Sequence, residues 1–468
     1  MLSKGMMKGL VVRRLAVFGV LCSLGVGDVV AEGKAGGYVV SSGDSFRGNQ
    51  HAEVGLEQAL KATMRLHPAI QGQRAALNAA HYGEDSANAA RMPVLTVQGD
   101  TLDEEASGSA VFNQPLWSFG RIDSSVYLAR SDIRQEQLRL LEVQRDLSQQ
   151  TAQAYAEVES AHELIRVALS DVDEHQHLYD RIKRRSGGGL ASEADVHFAY
   201  GRLVQAQARL VGFQGELAVA ETRLLALTQQ PVDSHHAVPE NLFPWRRHVE
   251  LKQQALNASP SLALKSEEVI AAGLRTEQQL AEHFPTLSFQ VERTIPNGAE
   301  TDGDPLTRSG FVLEARFGGS SFGSYANTRR ARAEQRAAEL DERATRLEVA
   351  RQIDALLINR DMQQRLLEAQ INTVKAVGNT LDSFFRQYET GRKTWIEVLN
   401  TQREYTEARV EQQRIRANWL DVVLQLSTQT GGLDVVAGIP VEALIPIEPN
   451  PTGPGMYENN ENNQVDVE

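Results

Sequence analysis

Histidines, carboxylates and hydroxyls are the side chains that could carry chemistry in this chain, and their spacing supports none. His175 and His177 lie two positions apart, so on a helix they point to different faces, while His235-His236 sit in a proline-punctuated stretch. Neither pair has further ligands at the separation zinc requires, and no metal is expected. Serines and carboxylates are plentiful, yet none occupies the strand–turn–helix elbow that exposes a nucleophile. Gly187-Gly188-Gly189 follows no buried strand and precedes no Lys-Ser/Thr, so it reads as a turn past a helix end rather than a phosphate loop. No cofactor is implied. Arg184-Arg185 and Arg329-Arg330 lack interleaved aromatics, and a formal charge of −13 argues against nucleic acid as a partner. An enzyme carried on helices would need a globular domain of about 100 residues, and no such stretch is present.

The elements come in duplicate. Pro68 and Pro93 recur as Pro260 and Pro285, and Gly189, Asp195 and Val196 recur as Gly391, Glu397 and Val398. The stripe Val196, Ala199, Leu203, Ala206, Leu210, Phe213, Leu217, Ala220, Leu224 maps onto Val398, Thr401, Tyr405, Ala408, Gln412, Ile415, Trp419, Val422, Leu426, always in steps of three or four. Each half is one supersecondary unit, and the two stack as pseudo-repeats over 53–229 and 249–433. Residues 230–248, with Pro231, Pro239 and Pro244, read as the linker between them.

Each repeat holds a helix of moderate length, a pair of short strands and a long helical hairpin. The helices run from Leu56 to Arg91 and from Val249 to His283, with Pro68 and Pro260 at a first turn or a bend. From Ile122 to Arg185 there is neither proline nor glycine, which allows a helix on the order of 95 Å. Its stripe is read as Tyr155, Val158, His162, Ile165, Leu169, Val172, Gln176, Tyr179, and the partner arm runs from Ala326 to Thr390. Alternating steps of three and four give left-handed coiled-coil packing. The hairpins turn at Gly187, Gly189 and Gly391.

The strands carry the second signal. Residues 286–292 alternate polar and apolar, as do 311–317 apart from Val312, and Leu95 and Val97 stand where Leu287 and Phe289 stand in the second repeat. Ala110 to Leu116 is a weaker run. Leu95, Val97, Leu287, Phe289, Leu313 and Phe317 would face lipid if these are membrane strands. Alternation alone serves equally well for two surface hairpins capping the coiled coil. Closure separates the two. Four short strands cannot close, and an open edge cannot face hydrocarbon, so membrane strands would have to be pooled among copies. Three copies would give about twelve strands, within the even-numbered range of membrane barrels.

The two ends of the chain stand apart. Lys4, Lys8, Arg13 and Arg14 precede an apolar run from Leu15 to Val26 and small residues up to Ala31, the layout of a signal peptide over 1–31. A retained anchor helix is the alternative, with a run short of the roughly 20 residues a span needs. The only cysteine, Cys22, lies within it, and Leu21 is too bulky for a lipoprotein cleavage box. Beyond Gly431-Gly432 the prolines, asparagines and glutamates of 434–468 read as a disordered acidic tail.

These residues together resemble the TolC-like outer-membrane efflux and secretion channels. The matching features are Leu56-Glu57-Gln58-Ala59-Leu60 followed by His67-Pro68, Pro93 before the first strand, and Gln114-Pro115-Leu116 with Phe119-Gly120-Arg121 leading into the long helix. Gly189 with Asp195-Val196, and Gly391 with Trp395 and Glu397-Val398-Leu399, match at the hairpin turns. The resemblance covers about 53–433 and implies a mainly α fold with a small membrane β part. It implies a homotrimer with a shared barrel in the outer membrane of a Gram-negative bacterium and an α-helical tunnel through the periplasm. Implied partners are a periplasmic adaptor (membrane fusion) protein and an inner-membrane ABC or other transporter. Within the family the chain most resembles type I secretion components that export large proteins such as adhesins. A periplasmic coiled-coil adaptor is the competing reading, but it would carry one hairpin flanked by compact β-domains. The resemblance also implies a constriction closed by acidic rings after the second turn. Glu397 and Asn400 hold those positions, Lys393 precedes them, and Asp195 is the counterpart in the first repeat. A neutral amide at Asn400 departs from a double acidic ring.

Overall fold

The computed structural model describes residues 55–100, 107–234, 236–239, 247–295, 306–314 and 321–440. All belong to the unit that begins at Ala52. The expected signal peptide, Phe317 and most of the acidic tail lie outside the described residues.

The duplication is visible in the element order. Helices α1 (Leu56–Leu66) and α2 (Pro68–Ala89) lead to strands β1 (Val94–Asp100) and β2 (Ser107–Trp117), then to the hairpin α3 (Arg121–Gly187) and α4 (Glu193–Thr228). The second repeat runs α5 (His248–Ala258), α6 (Pro260–Ala281), β3 (Thr286–Ile295), β4 (Leu306–Glu314), α7 (Ser321–Glu389) and α8 (Trp395–Gln429), followed by α9 (Gly432–Ala437). Each moderate-length helix of the sequence reading is thus two helices. Pro68 and Pro260 open the second of each pair, where a missing N–H leaves nothing unsatisfied. His67 Nδ1 and Ser259 Oγ accept from the backbone N–H groups of Ala69 and Leu262, at 3.2 and 3.3 Å.

Helix α3 has 67 residues, about 100 Å at ~1.5 Å per residue. The two hairpin turns use the same device. Leu190 N–H reaches Arg185 O and Arg392 N–H reaches Gln387 O, both at 2.9 Å, around Gly189 (φ 74°) and Gly391 (φ 72°). That left-handed conformation is strained for a residue with a Cβ, which is why glycine stands at both turns.

Helix α3 is the centre of the packing, touching α1, α2, α4, α6, α8 and α9. Its upper part joins Leu56, Leu60, Leu224, Leu424 and Leu433 around Tyr155 and Val158. A second cluster joins Leu251, Ile353, Leu357 and Leu426. The expected stripe of α4 is buried at Ala199, Leu203, Ala206, Phe213, Ala220 and Leu224. The lower stripe of α3 is shifted by one position from the expected one. Ala161, Leu164, Ala168, Asp171, His175, Leu178 and Ile182 are buried, whereas Leu169 is exposed. The ionisable Asp171 and His175 thus lie on the buried face.

Two boundaries also move. The chain after Gly431 continues into α9, where Leu433, Asp434 and Ala437 are buried and Ile439 follows. Arg145 of α3 binds Asp434 through Nε at 3.1 Å and Nη2 at 2.5 Å, so the expected tail begins later than 434. The linker 230–248 is partly fixed. Tyr155 Oη donates to His236 O at 2.8 Å, and Val238 N–H donates to Glu159 Oε2 at 2.9 Å. Its last residue, His248, already belongs to α5.

Candidate functional site

The four strands form one antiparallel sheet in the order β1-β2-β3-β4. Residues paired across an antiparallel ladder share a face. Leu95 pairs with Phe112, and Phe112 with Val291; Val97 pairs with Ala110. Leu287 pairs with Leu313 and Phe289 with Phe311, the two rings 5.6 Å apart. Four of the expected lipid-facing residues from the second repeat and the first, Leu95, Val97, Leu287 and Phe289, therefore share one face with Leu313. Phe311 lies on that face as well, and Phe317 falls outside the described residues. The opposite face carries Thr96, Gln98, Asn113, Ser288, Gln290, Glu292, Arg308 and Glu314. Arg293, at the far end of the strand, is the charged exception on the apolar face. Leu95, Val97, Phe311 and Leu313 are more than half exposed. No described helix is long and apolar enough to cross a membrane, a statement that leaves a barrel untouched.

At the foot of the sheet an irregularity between Pro115 and Trp117 turns β2 towards α3. Trp117, Phe119 and Phe284 stack there at 5.1 and 5.4 Å. Sequence reasoning missed this stack, since Phe284 is distant in the chain and the aromatics follow no period.

The opposite ends of the hairpins hold the other expected residues. Ser192 and Asp195 form a reciprocal capping box at the start of α4, and Thr394 and Glu397 form another at the start of α8. Lys393 Nζ lies 2.7 Å from Glu397 Oε1 and 4.3 Å from the centre of the Phe384 ring. Hydrogen bonds from Lys393 and then from Thr394 pull the Glu397 carboxyl down to about 2. Asp195 is lowered by hydrogen bonds from Ser192, with a smaller contribution from Trp395. Trp395 also meets Phe198 edge to face at 5.7 Å, so it touches both hairpins. The structure brings Lys393 and Glu397 together and couples Asp195 to Trp395. Asn400 stands apart, exposed, with its neighbours Val398 and Leu399 turned into the core. Among the described residues no group of three or more His, Cys, Asp or Glu side chains could hold a metal ion. His175 is buried and His177 exposed, on different faces as their spacing requires.

The outer membrane efflux protein family model matches residues 59–229 and 251–432, both repeats and nearly all the described helices. The outer membrane efflux protein BepC of Brucella suis is 24% identical over 191 residues, which is 38% of this chain and 42% of that relative's length. Among solved structures, outer membrane protein VceC from Vibrio cholerae superposes with a TM-score of 0.68 at 16% identity, over 80% of this chain and 96% of that one. The Campylobacter jejuni CmeC outer membrane channel gives 0.67 at 11% identity, over 81% and 85%. Those identities speak for the fold alone. With both repeats matched in order, the chain belongs to the outer membrane efflux protein family and is a mainly α-helical channel-tunnel protein of the outer membrane that extends into the periplasm.

Proposed function

We propose that the protein is the passive, trimeric exit duct of a type I secretion or efflux system. The observation that carries this reading is the open sheet. One face is mainly apolar and the other mainly polar, the latter also carrying Val94, Val111 and Val312, and the outer strands β1 and β4 have no strand neighbour beyond them among the described residues. A sheet edge left in hydrocarbon would strand a row of N–H and C=O groups, each costing several kcal/mol. Joining β4 of one copy to β1 of the next removes every edge, and three copies give about twelve strands. Leu95, Val97, Leu287, Phe289 and Leu313 then face lipid, and the amides and hydroxyls of the other face line water.

The hairpin tips form the periplasmic end. There the duct narrows around Glu397, with Lys393 and Asp195 beside it, and docks an adaptor that connects it to an inner-membrane transporter. Adaptor binding opens the tips by favouring the open arrangement over the closed one. A large protein cargo such as an adhesin suits the type I branch of this reading. The test is electrophoresis of the detergent-solubilised protein before and after heating, with mass measurement of the unheated band. A threefold mass that collapses on heating is expected, whereas a monodisperse monomer would overturn the duct.

A further inference from the structure

The sheet ends on three exposed rings. Trp117 pairs with Leu287, which pairs with Leu313, so its indole lies on the apolar face. Phe119 and Phe284 continue from it as a stack, with centres 5.1 and 5.4 Å apart. The tryptophan is 62% exposed and both phenylalanines are exposed as well. Nothing among the described residues accepts from its indole N–H. Phe119 has φ 51°, a left-handed backbone that is an outlier for a bulky side chain. Such strain persists only where the surroundings hold it, and here the rings on either side do so. Just past the stack the chain becomes charged. Helix α3 opens with Arg121 and Asp123, and Asp123 pairs with Arg91 at 2.6 Å.

A lone exposed ring needs no explanation, but a built stack that continues an apolar face marks a contact surface. A second copy of the chain does not cover it. The stack belongs to the ends of β2 and β3, the inner strands, whereas copies would join through the outer strands β1 and β4.

We propose that Trp117, Phe119 and Phe284 form an interfacial anchor, seated in the headgroup layer of a phospholipid leaflet, that fixes the depth of the sheet. An indole favours that layer because its ring leaves water while its N–H finds a lipid ester or phosphate oxygen. The dimensions agree. From Leu287 to Val291, which pairs with Phe112, is four residues of β3, about 14 Å at ~3.4 Å per residue. At a strand tilt of about 45° this is about 10 Å of depth, close to half of an apolar band roughly 25 Å tall. With Phe112 at the middle of the bilayer, Trp117 stands at its edge and the charges of α3 lie in water.

The anchor rests on the reading that the strands lie in a bilayer, and one experiment keeps the two apart. The full chain is inserted into phosphatidylcholine vesicles whose acyl chains carry a nitroxide quencher either near the headgroup or near the chain end. The shallow label should quench about a quarter of wild-type tryptophan emission, one indole of four, and more than the deep label does. Trp117→Phe, which keeps a ring in the stack, should lose that component. Phe112→Trp, made in the Trp117→Phe chain, should be quenched more by the deep label, as a residue of the bilayer interior. Equal shallow quenching in wild type and Trp117→Phe, with Phe112→Trp quenched from depth, means that protein covers the stack; the anchor falls and the membrane sheet stands. Stronger quenching of Trp117 by the deep label overturns the anchor as well. Quenching in none of the chains takes the sheet out of the bilayer and the anchor with it.

Discussion

The two hairpins descend from one pattern and meet different surroundings. Helix α3 packs chiefly on α1, α2, α4, α6, α8 and α9, whereas α7 packs chiefly on α5, α6 and α8 and meets α3 near the tips through Arg181–Glu389 and Arg185 over Tyr388. Along α3 Leu138, Leu141, Leu164 and Leu178 are buried, with Leu169 the exposed exception. Along α7 the residues Leu340, Leu347, Ile358, Met362 and Leu366 are exposed, and their steps of seven, eleven, four and four keep them on one helical face. A lone exposed leucine means nothing, but an apolar stripe at helical spacing marks a contact surface. Duplication copied the local pattern, and position in the fold made one copy the core and the other an edge. On the duct reading that edge is covered by the neighbouring copy.

The largest effect is therefore expected on α7. Leu347→Glu with Ile358→Glu should abolish the heat-sensitive trimer while circular dichroism keeps the helical signal, because two buried carboxylates without partners cannot be accommodated between helices. A persisting trimer would mean that α7 is a solvated arm and the comparison with α3 holds no more than a difference in exposure.

Ion pairs sharpen the same contrast. Arg145–Asp434 on α3 is buried on both sides, and Lys252–Asp354 on α7 is 37% and 49% exposed. Arg145→Met leaves Asp434 uncompensated and should cost about 3–5 kcal/mol. Lys252→Met should cost under about 1 kcal/mol. Denaturant unfolding compares them directly, and equal losses would remove the distinction between core arm and edge arm. In the strands, Val97→Arg or Leu313→Arg should cost roughly 2–4 kcal/mol near mid-bilayer, against little for Gln290→Arg on the polar face. Equal tolerance on the two faces would show that the sheet lies in water.

Much of this was legible in the residues. The repeat, the glycine turns and the apolar alternation at Leu95, Val97, Leu287 and Phe289 rest on short-range periodicity, which a sequence displays directly. What escaped depends on partners distant in the chain. Below Val158 the buried stripe of α3 lies one position from the expected one, where Asp171 meets Arg209 of α4 and Thr406 of α8, partners distant in the chain. The polar end of the chain hid α9 because its anchor, Arg145, lies 289 residues away from Asp434. Lys393 and Glu397 were read as constriction residues by resemblance, and their capping role follows from Thr394, whose spacing to Glu397 is a capping-box signature.

That double role makes the smallest prediction the most discriminating between the tips. Glu397 accepts the Thr394 backbone N–H at 2.9 Å and pairs with Lys393, while Asp195 accepts the Ser192 N–H at 3.0 Å and has no lysine in the matching position. Both carboxyls lie below their ordinary values, Glu397 at about 2. A lowered carboxyl contributes above its unfolded pKa and is lost as pH falls through the folded one, so both tips should hold at neutral pH, Glu397 weakening only as pH falls from about 4.5 towards 2. In the proposed trimer, three copies of Glu397 around one axis would repel unless a cation or Lys393 offset them. Glu397→Gln keeps an acceptor for the Thr394 N–H and removes the charge; Glu397→Ala removes both. In planar bilayers the Gln variant should weaken block by divalent cations with little change in conductance, and the Ala variant should also raise conductance as the turn loosens. Asp195→Ala should loosen its turn in the same way with a smaller change in block. If block and conductance are unchanged in both Glu397 variants, the constriction lies elsewhere, and Asp195 loses its support with it.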